Sequence, residues 1–298
     1  MNDVAVIGAG PAGVSASIYL KRAGFDVTLF EKNEIGGLLL NAYIVENYPG
    51  FPDGIEGKNL CKLMQKHLKK WGINSITKEV KKISIKGTNF LLETNDKKNE
   101  YKAVIIATGT KPKELDIPIK KGLIGHKIFY EIKDLLPKIK ADDICTVIGG
   151  GDAAFDYSLN LANKCSKINI VFRSKKPKCL SLLEEKVKKY SIIKILPLLV
   201  PRRIYEEKGK LVIILNHSEK NKENLKVDKI KSDYILIACG RNPDDKLLTK
   251  EFKKSNIPGL YIAGDIRTEN FRQTGIAVGE GIHAAMSAES YLKGLKTC

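Results

Sequence analysis

Two parts of the chain carry the same order of apolar runs, glycine turns and helical spacing. The first opens on Asp3-Val-Ala-Val-Ile7, an apolar run of strand length, followed by Gly8-Ala-Gly-Pro-Ala-Gly13. Helical spacing then runs to about Ala23, and a second strand is predicted from Phe25 to Phe30, ending at Glu31. The second part repeats this with Ile144–Ile148, Gly149-Gly-Gly-Asp-Ala-Ala154, a helix to about Ala162 and a strand over Lys167–Val171. The likeness continues downstream. Strand-like runs at Ile83–Ile85 and Phe90–Glu93 precede Ala103-Val-Ile-Ile-Ala-Thr-Gly109, and Leu211–Leu215 precedes Tyr234-Ile-Leu-Ile-Ala-Cys-Gly240. Matching order and spacing predict an α/β chain with two related nucleotide-binding domains, each built on a strand-turn-helix-strand unit.

The turn glycines carry distinct tasks. Gly8 permits a sharp turn, Gly10 lets the backbone approach a pyrophosphate, and Gly13 lets the helix pack on the strand, while the helix N-terminus offers N–H groups to phosphates. Glu31 stands at the end of the second strand, where it is placed to accept hydrogen bonds from a ribose diol. A solvated acid at a strand end is the alternative for it. In the second part Gly149 and Gly151 open the equivalent turn.

Composition narrows the class. At 298 residues, with 43% hydrophobic and 29% charged positions, the chain has the material for about two globular domains. Its longest apolar stretch, Ser191 to Val200, is interrupted by Lys194 and Pro197 and falls far short of the ~20 residues of a membrane span. No secretory signal is visible, so a cytoplasmic location is expected. Cys61, Cys145, Cys165, Cys179, Cys239 and Cys298 lie at wide spacings without a C-x-x-C, which disfavours a disulfide scaffold and a zinc site. His67, His126, His217 and His283 have neither metal nor triad spacing. The net charge of +17 is compatible with an acidic partner, but only seven of the 51 basic residues are Arg and there is no interleaved aromatic and basic motif of the kind that stacks and clamps nucleic acid. That pattern reads as Lys-rich composition rather than a nucleic-acid surface.

With these motifs goes a further set: Gly36-Gly37, Val45-Glu-Asn-Tyr-Pro-Gly50, Ala107-Thr-Gly109, Ala263-Gly-Asp265, and Arg272-Gln273 followed by Gly279-Glu-Gly281. In this order the chain resembles the low-molecular-weight thioredoxin reductase-like flavoprotein family from about Asp3 to Tyr291. The resemblance implies two Rossmann-like, three-layer ββα domains, with an NAD(P)H domain (residues 114–240) inserted into an FAD domain made of residues 1–113 and 241–298. It also implies a homodimer. Carried over position by position, Gly8, Gly10, Gly13 and Glu31 hold the AMP half of FAD and Val80 lies near the adenine. Gly36, Gly37 and Asn47 lie near the flavin, Gly109 belongs to the same site, Asp265 binds the ribityl chain, and Arg272 with Gln273 approaches the isoalloxazine. Gly149, Gly151, Asp152 and Ala154 form the NAD(P) turn. Two of these residues have plainer alternatives: Asp265 as the N-cap of a helix that follows it, and Asn47 as a turn residue before Pro49.

Departures from the family matter as much. Thioredoxin reductases carry a C-x-x-C just upstream of the second glycine turn, where this chain has Gly125-His-Lys-Ile-Phe-Tyr-Glu-Ile-Lys-Asp134. Reduction of thioredoxin by the family mechanism is therefore not expected, and no side chain is assigned as catalytic. Leu38 replaces the Gln that often follows the flavin-proximal glycine pair. After the second strand of the inserted domain comes Phe172-Arg-Ser-Lys-Lys176. Arg173, Lys175 and Lys176 suit the 2′-phosphate of NADPH better than the free diol of NADH, with Arg173 the more telling because Arg is scarce.

The expected function is an FAD-dependent NAD(P)H oxidoreductase: hydride from the nicotinamide to flavin N5, then electrons to a non-dithiol acceptor. That acceptor is an acidic carrier such as a ferredoxin or flavodoxin, or a diffusible oxidant. Two other readings stay open. One is a disulfide reductase whose thiols meet only in three dimensions. The other is a flavin-binding sensor or interaction protein with a vestigial second site, against which the intact Gly149-x-Gly151 turn argues.

Overall fold

The computed structural model describes residues 2–218, 227–254, 257–267 and 271–296. They divide into two compact units, the first comprising Met1–Leu40, Ile44–Lys111 and Asn242–Cys298, the second Asn41–Tyr43 and Pro112–Arg241. In chain order the first unit begins with β1 (Asn2–Ile7), α1 (Pro11–Arg22), β2 (Val27–Glu31), α2 (Gly57–Lys70), β3 (Asn74–Thr77), β4 (Lys82–Lys86), β5 (Asn89–Glu93) and β6 (Lys98–Ile106). The second holds β7 (Ile128–Phe129), β8 (Ile144–Ile148), α3 (Asp152–Leu161), β9 (Lys167–Val171), α4 (Ser181–Lys188) and β10 (Ile193–Leu196). It continues with β11 (Leu199–Glu207), β12 (Lys210–His217), β13 (Val227–Ser232) and β14 (Tyr234–Ile237), and the chain then returns to the first unit with β15 (Leu260–Ile262) and α5 (Thr274–Lys296).

The first unit's sheet has the order β3-β2-β1-β6-β5-β4, with β15 also on β6. β1 lies parallel to β2 and β6, with Val4 opposite Val27 and Ala103. Val4 and Val6 face a cluster containing Val14 and Leu20 of α1 and Ala285 of α5, while Ala5 and Ile7 face Phe30, Phe90 and Ile106. Both faces of the central strands are covered, which is why their sequences run apolar without alternation. The two helices meet at Gly281, where a Cβ would stand 2.1 Å from the Ala12 carbonyl oxygen. The Ser15 hydroxyl crosses the contact to donate to the Val278 carbonyl.

β2 starts at Val27, two residues later than the apolar run predicts. Gly24, at φ +86°, closes α1 in a left-handed turn. The N–H groups of Gly24 and Phe25 return to the Lys21 and Leu20 carbonyls, so Phe25 belongs to the helix stop and not to the strand.

The second unit stacks three layers. Its parallel sheet runs β7-β14-β8-β9-β10 and its antiparallel sheet β11-β12-β13. Val147 on β8 faces Phe155 and Leu159 of α3, whereas Ile148 faces Ile204, Leu211 and Ile213 of the antiparallel sheet. The α3 layer, the parallel sheet and the antiparallel sheet give the three-layer ββα arrangement expected from the sequence.

Candidate nucleotide-binding turns

In the first unit the Gly8–Gly10 turn is held from three sides. Gly8 sits at φ +104°, with its missing Cβ 2.3 Å from the Ala107 carbonyl oxygen, and a Cβ on Gly13 would fall 1.8 Å from the Gly8 carbonyl oxygen. Only glycine fits either place. The Ala9 N–H donates to Glu31 Oε2 at 2.8 Å and the Asn33 N–H to Oε1 at 2.9 Å, so this carboxylate organises the turn from the end of β2. Each oxygen keeps acceptor capacity for a ribose hydroxyl.

Gly10 is different. A Cβ there would meet nothing within 4 Å, and as N-cap of α1 it leaves the helix start without a side-chain cap, with Pro11 in the first turn. Open space beside uncapped helical N–H groups is the physical requirement for an approaching pyrophosphate, and the turn fits a dinucleotide on that ground. The Gly36 N–H donates to the Ala9 carbonyl at 2.8 Å, and a Cβ on Gly37 would come 3.2 Å from Gly10 Cα. The structure thus gathers Gly8, Gly10, Glu31, Gly36 and Gly37 at one end of the sheet. Gly109, at φ +67°, follows β6 there and accepts the Asp244 N–H at 2.9 Å.

Val80 is 5% exposed and packs with Ile7 and Phe30, so only its backbone can face a ligand. Asn47 and Gln273, from opposite ends of the chain, meet: Asn47 Nδ2 donates to Gln273 Oε1 at 2.8 Å. Arg272 adjoins them, half-buried, just before α5.

Residues 264–267 form a turn, closed by the Arg267 N–H on the Gly264 carbonyl, and α5 begins only at Thr274. Sequence reasoning missed Glu280, whose Oε2 accepts the Gly264 N–H at 2.7 Å and ties α5 to the turn that carries Asp265. Its signal was a single acid between two glycines in the apolar start of a helix.

In the second unit, Gly149 at φ +152° brings its missing Cβ to 2.3 Å from the Ala238 carbonyl oxygen, repeating Gly8 against Ala107. Gly151 repeats Gly10, with open space around a would-be Cβ and no side-chain cap on α3. Ala154 stands where Gly13 stands in the first turn and is fully buried, so its part is packing and its side chain cannot touch a dinucleotide. The Asp152 Oδ1 accepts the Leu180 N–H at 2.9 Å.

The segment after β9 is pinned at four points. The Arg173 carbonyl accepts the Ser218 hydroxyl at 2.6 Å, and the Ser174 carbonyl accepts the N–H of Leu198, a residue at φ +61°. The Lys178 N–H donates to the Gly150 carbonyl, and the Leu180 N–H reaches Asp152. Arg173, Lys175 and Lys176 are exposed on this fixed segment. Ser218 and Leu198 had no sequence signal, because they lie in turns remote in sequence from Arg173.

The thiols are dispersed. Cys61, Cys145 and Cys165 are buried, and burial pushes the Cys61 thiol up to about 11. Cys145 and Cys165 do meet: a hydrogen bond to Cys165, then burial, raises the Cys145 thiol far above its usual range. Both lie in the α3-side core of the second unit. Cys298 lies outside the described residues. Among the described residues no cluster of three or more His, Cys, Asp or Glu side chains is arranged to hold a metal ion, and no helix is long and apolar enough to cross a membrane.

The pyridine nucleotide-disulphide oxidoreductase family profile matches residues 2–281. The chain is 31% identical to a 34.2 kDa protein in the rubredoxin operon of Clostridium pasteurianum, over 98% of this chain and 97% of that protein. It is also 31% identical to the thioredoxin reductase of Bacillus subtilis, over 99% and 96% of the two chains. Among solved structures, Lactococcus lactis thioredoxin reductase in its FR conformation superposes with a TM-score of 0.88 at 27% identity, covering 99% of this chain and all of that one. T. acidophilum thioredoxin reductase superposes at 0.87 and 28%, covering 97% and 98%.

Proposed function

The chain belongs to the pyridine nucleotide-disulphide oxidoreductase family and is an enzyme of the thioredoxin reductase-like kind; within that family we propose that it is an FAD-dependent NAD(P)H oxidoreductase whose electrons go to an acceptor other than a dithiol beside the flavin. The observation that carries this is the pair of open, uncapped glycine turns at Gly10 and Gly151, flanked by opposite charge. A carboxylate, Glu31, stands beside the first, and Arg173, Lys175 and Lys176 stand on the segment beside the second. An acid suits a free ribose diol and a guanidinium suits a 2′-phosphate, so FAD is assigned to the first unit and NADPH, ahead of NADH, to the second.

FAD, when bound, supplies a two-electron hydride acceptor that can also release electrons singly. The chain's own residues bind and orient. Gly8, Gly10, Gly13 and Glu31 hold the AMP half beside the backbone of Val80 and Gly109. Gly36 and Gly37 extend that surface towards the flavin, Asp265 takes the ribityl hydroxyls, and the Asn47–Gln273 pair with Arg272 faces the ring system. In the second unit Gly149 and Gly151 approach the pyrophosphate, Ala154 seats the helix, and Asp152 fixes the Leu180 end of the basic segment. No proton need be moved by a side chain in the hydride half-reaction.

The sequence contains no C-x-x-C, and the close cysteine pair among the described residues, Cys145 with Cys165, lies at 0% and 7% exposure, out of reach of a disulfide substrate. This favours an acidic electron carrier or a diffusible oxidant as acceptor. A homodimer is the proposed assembly, by likeness to the family. The test is an anaerobic titration of the purified protein with NADPH and NADH, following flavin absorbance, and then with candidate acceptors. Bleaching by NADPH is expected. A colourless protein that FAD cannot reconstitute, or a flavin spectrum unchanged by both nucleotides, would refute the reading.

A further inference from the structure

Asp244 is 7% exposed, and its carboxylate is used on one side only. Oδ2 accepts from Lys32 Nζ at 2.9 Å, while Oδ1 is buried with no hydrogen-bond partner among the described residues. Leaving a buried carboxylate oxygen unmatched is costly, and such an atom points to a donor that completes it. Its backbone is fixed: the Asp244 N–H donates to the Gly109 carbonyl at 2.9 Å, and the Thr108 hydroxyl donates to the Asp244 carbonyl at 2.8 Å.

The surroundings say which part of a dinucleotide the oxygen faces. Lys32 directly follows Glu31, the acid beside the first glycine turn. Glu79, held low chiefly by its hydrogen bond to Lys81, also feels the positive charge of Lys32, which puts Lys32 near the segment carrying Val80. Asp244 thus stands beside Lys32, next to the Glu31 end of β2 and to Thr108 and Gly109 after β6. A pyrophosphate has no donor to offer and would be repelled by a carboxylate, whereas ribose hydroxyls and an adenine amine are donors.

We propose that Asp244 is an additional anchor for the adenosine half of the dinucleotide in the first unit, with Oδ1 accepting from an adenosine hydroxyl or amine while Oδ2 holds Lys32. This rests on the assignment of FAD to the first unit. It gives Lys32 a second task as well: at 45% exposure its ammonium adds positive charge beside the turn that takes the phosphates.

The experiment measures binding of FAD, ADP and FMN to apoprotein of the parent, Asp244→Ala and Asp244→Asn, with thermal melts of each apoprotein. ADP probes the adenosine side alone and FMN the flavin side alone. In Asp244→Ala, affinity for FAD and ADP should fall about ten- to a hundredfold, the size of one charge-assisted hydrogen bond, with FMN unchanged. Its apoprotein should melt no lower than the parent, because the orphaned oxygen is gone. Asp244→Asn keeps an acceptor but turns an amide towards either Lys32 or the ligand, and should lose less. Undiminished ADP binding in Asp244→Ala would overturn the proposal, as would equal loss of all three ligands together with a lower apoprotein melting point. A parent that binds ADP but not FAD would instead overturn the FAD assignment.

Discussion

The two glycine turns share one motif but differ at its sixth position, and that difference sets up a sharp test. At Gly13 a Cβ would lie 1.8 Å from the Gly8 carbonyl oxygen, about 1.5 Å inside the ~3.3 Å at which carbon and carbonyl oxygen ordinarily meet. Neither atom can give way alone, since the Gly8 N–H is bonded to the Phe30 carbonyl and α1 is packed against Gly281. Gly13→Ala must therefore push α1 off β1, overpacking worth about 2–3 kcal/mol and a melting point lower by about 4–12 °C for a unit of this size. FAD content should fall with it, because the same shift reshapes the Gly10 backbone. In the second unit the corresponding residue is already Ala154, with a Cβ that its turn accommodates. Ala154→Gly removes one methyl group and some helix propensity, and should cost about 1–2 kcal/mol. The assay is thermal melting of both variants with flavin fluorescence as a reporter of the first unit. A Gly13→Ala protein with parental stability and full FAD content would refute the described packing of α1 on the turn.

Arg173→Ala should weaken NADPH about ten- to a hundredfold and leave NADH nearly untouched; equal loss for both in stopped-flow reduction would make Arg173 structural. Asp233 offers a pH test. Burial draws its carboxyl upward, but the Lys210 ammonium and the Ile144 N–H outweigh that and hold it below its usual value. A depressed carboxyl stabilises the fold above the unfolded value near ~3.9 and stops doing so as pH falls through the folded one. Asp233→Asn should thus cost about 1.5–3 kcal/mol at pH 7, shrinking towards pH 3, and a gap that stays constant in urea melts over that range would be the contrary result. Finally, turnover with an acidic carrier at subsaturating concentration should fall steeply with salt once flavin reduction by NADPH is divided out, while turnover with a neutral quinone should not; absence of that dependence would leave the +17 charge without a role in steering.

Much of the scaffold was legible because its physics is local. A parallel strand covered on both faces reads as an apolar run, and β1, β6, β8 and β14 do so; the glycine that follows β1 and β8 is forced by the passage of Ala107 and Ala238 across the turn. Where a reading slipped, a neighbouring local device had already used the residues. Phe25 was counted in a strand, yet its N–H completes the Gly24 helix stop.

The parts of the site that did not show in the sequence are pairs with no local cause. Asn47 meets Gln273 across 226 positions and Lys32 meets Asp244 across 212. Neither partner in such a pair has a periodicity or spacing that announces the other. The same holds for Ser218 on the Arg173 carbonyl and Glu280 on the Gly264 N–H. These contacts share a feature: each joins two segments far apart in sequence that the fold alone brings alongside. Motif residues in these turns are chosen for small size and backbone shape, and so cannot hold their own positions; groups remote in sequence must do it. A substitution at Ser218 or Glu280 is then expected to act on nucleotide affinity through the backbone it holds, without touching the ligand, and motif matching alone would not single it out.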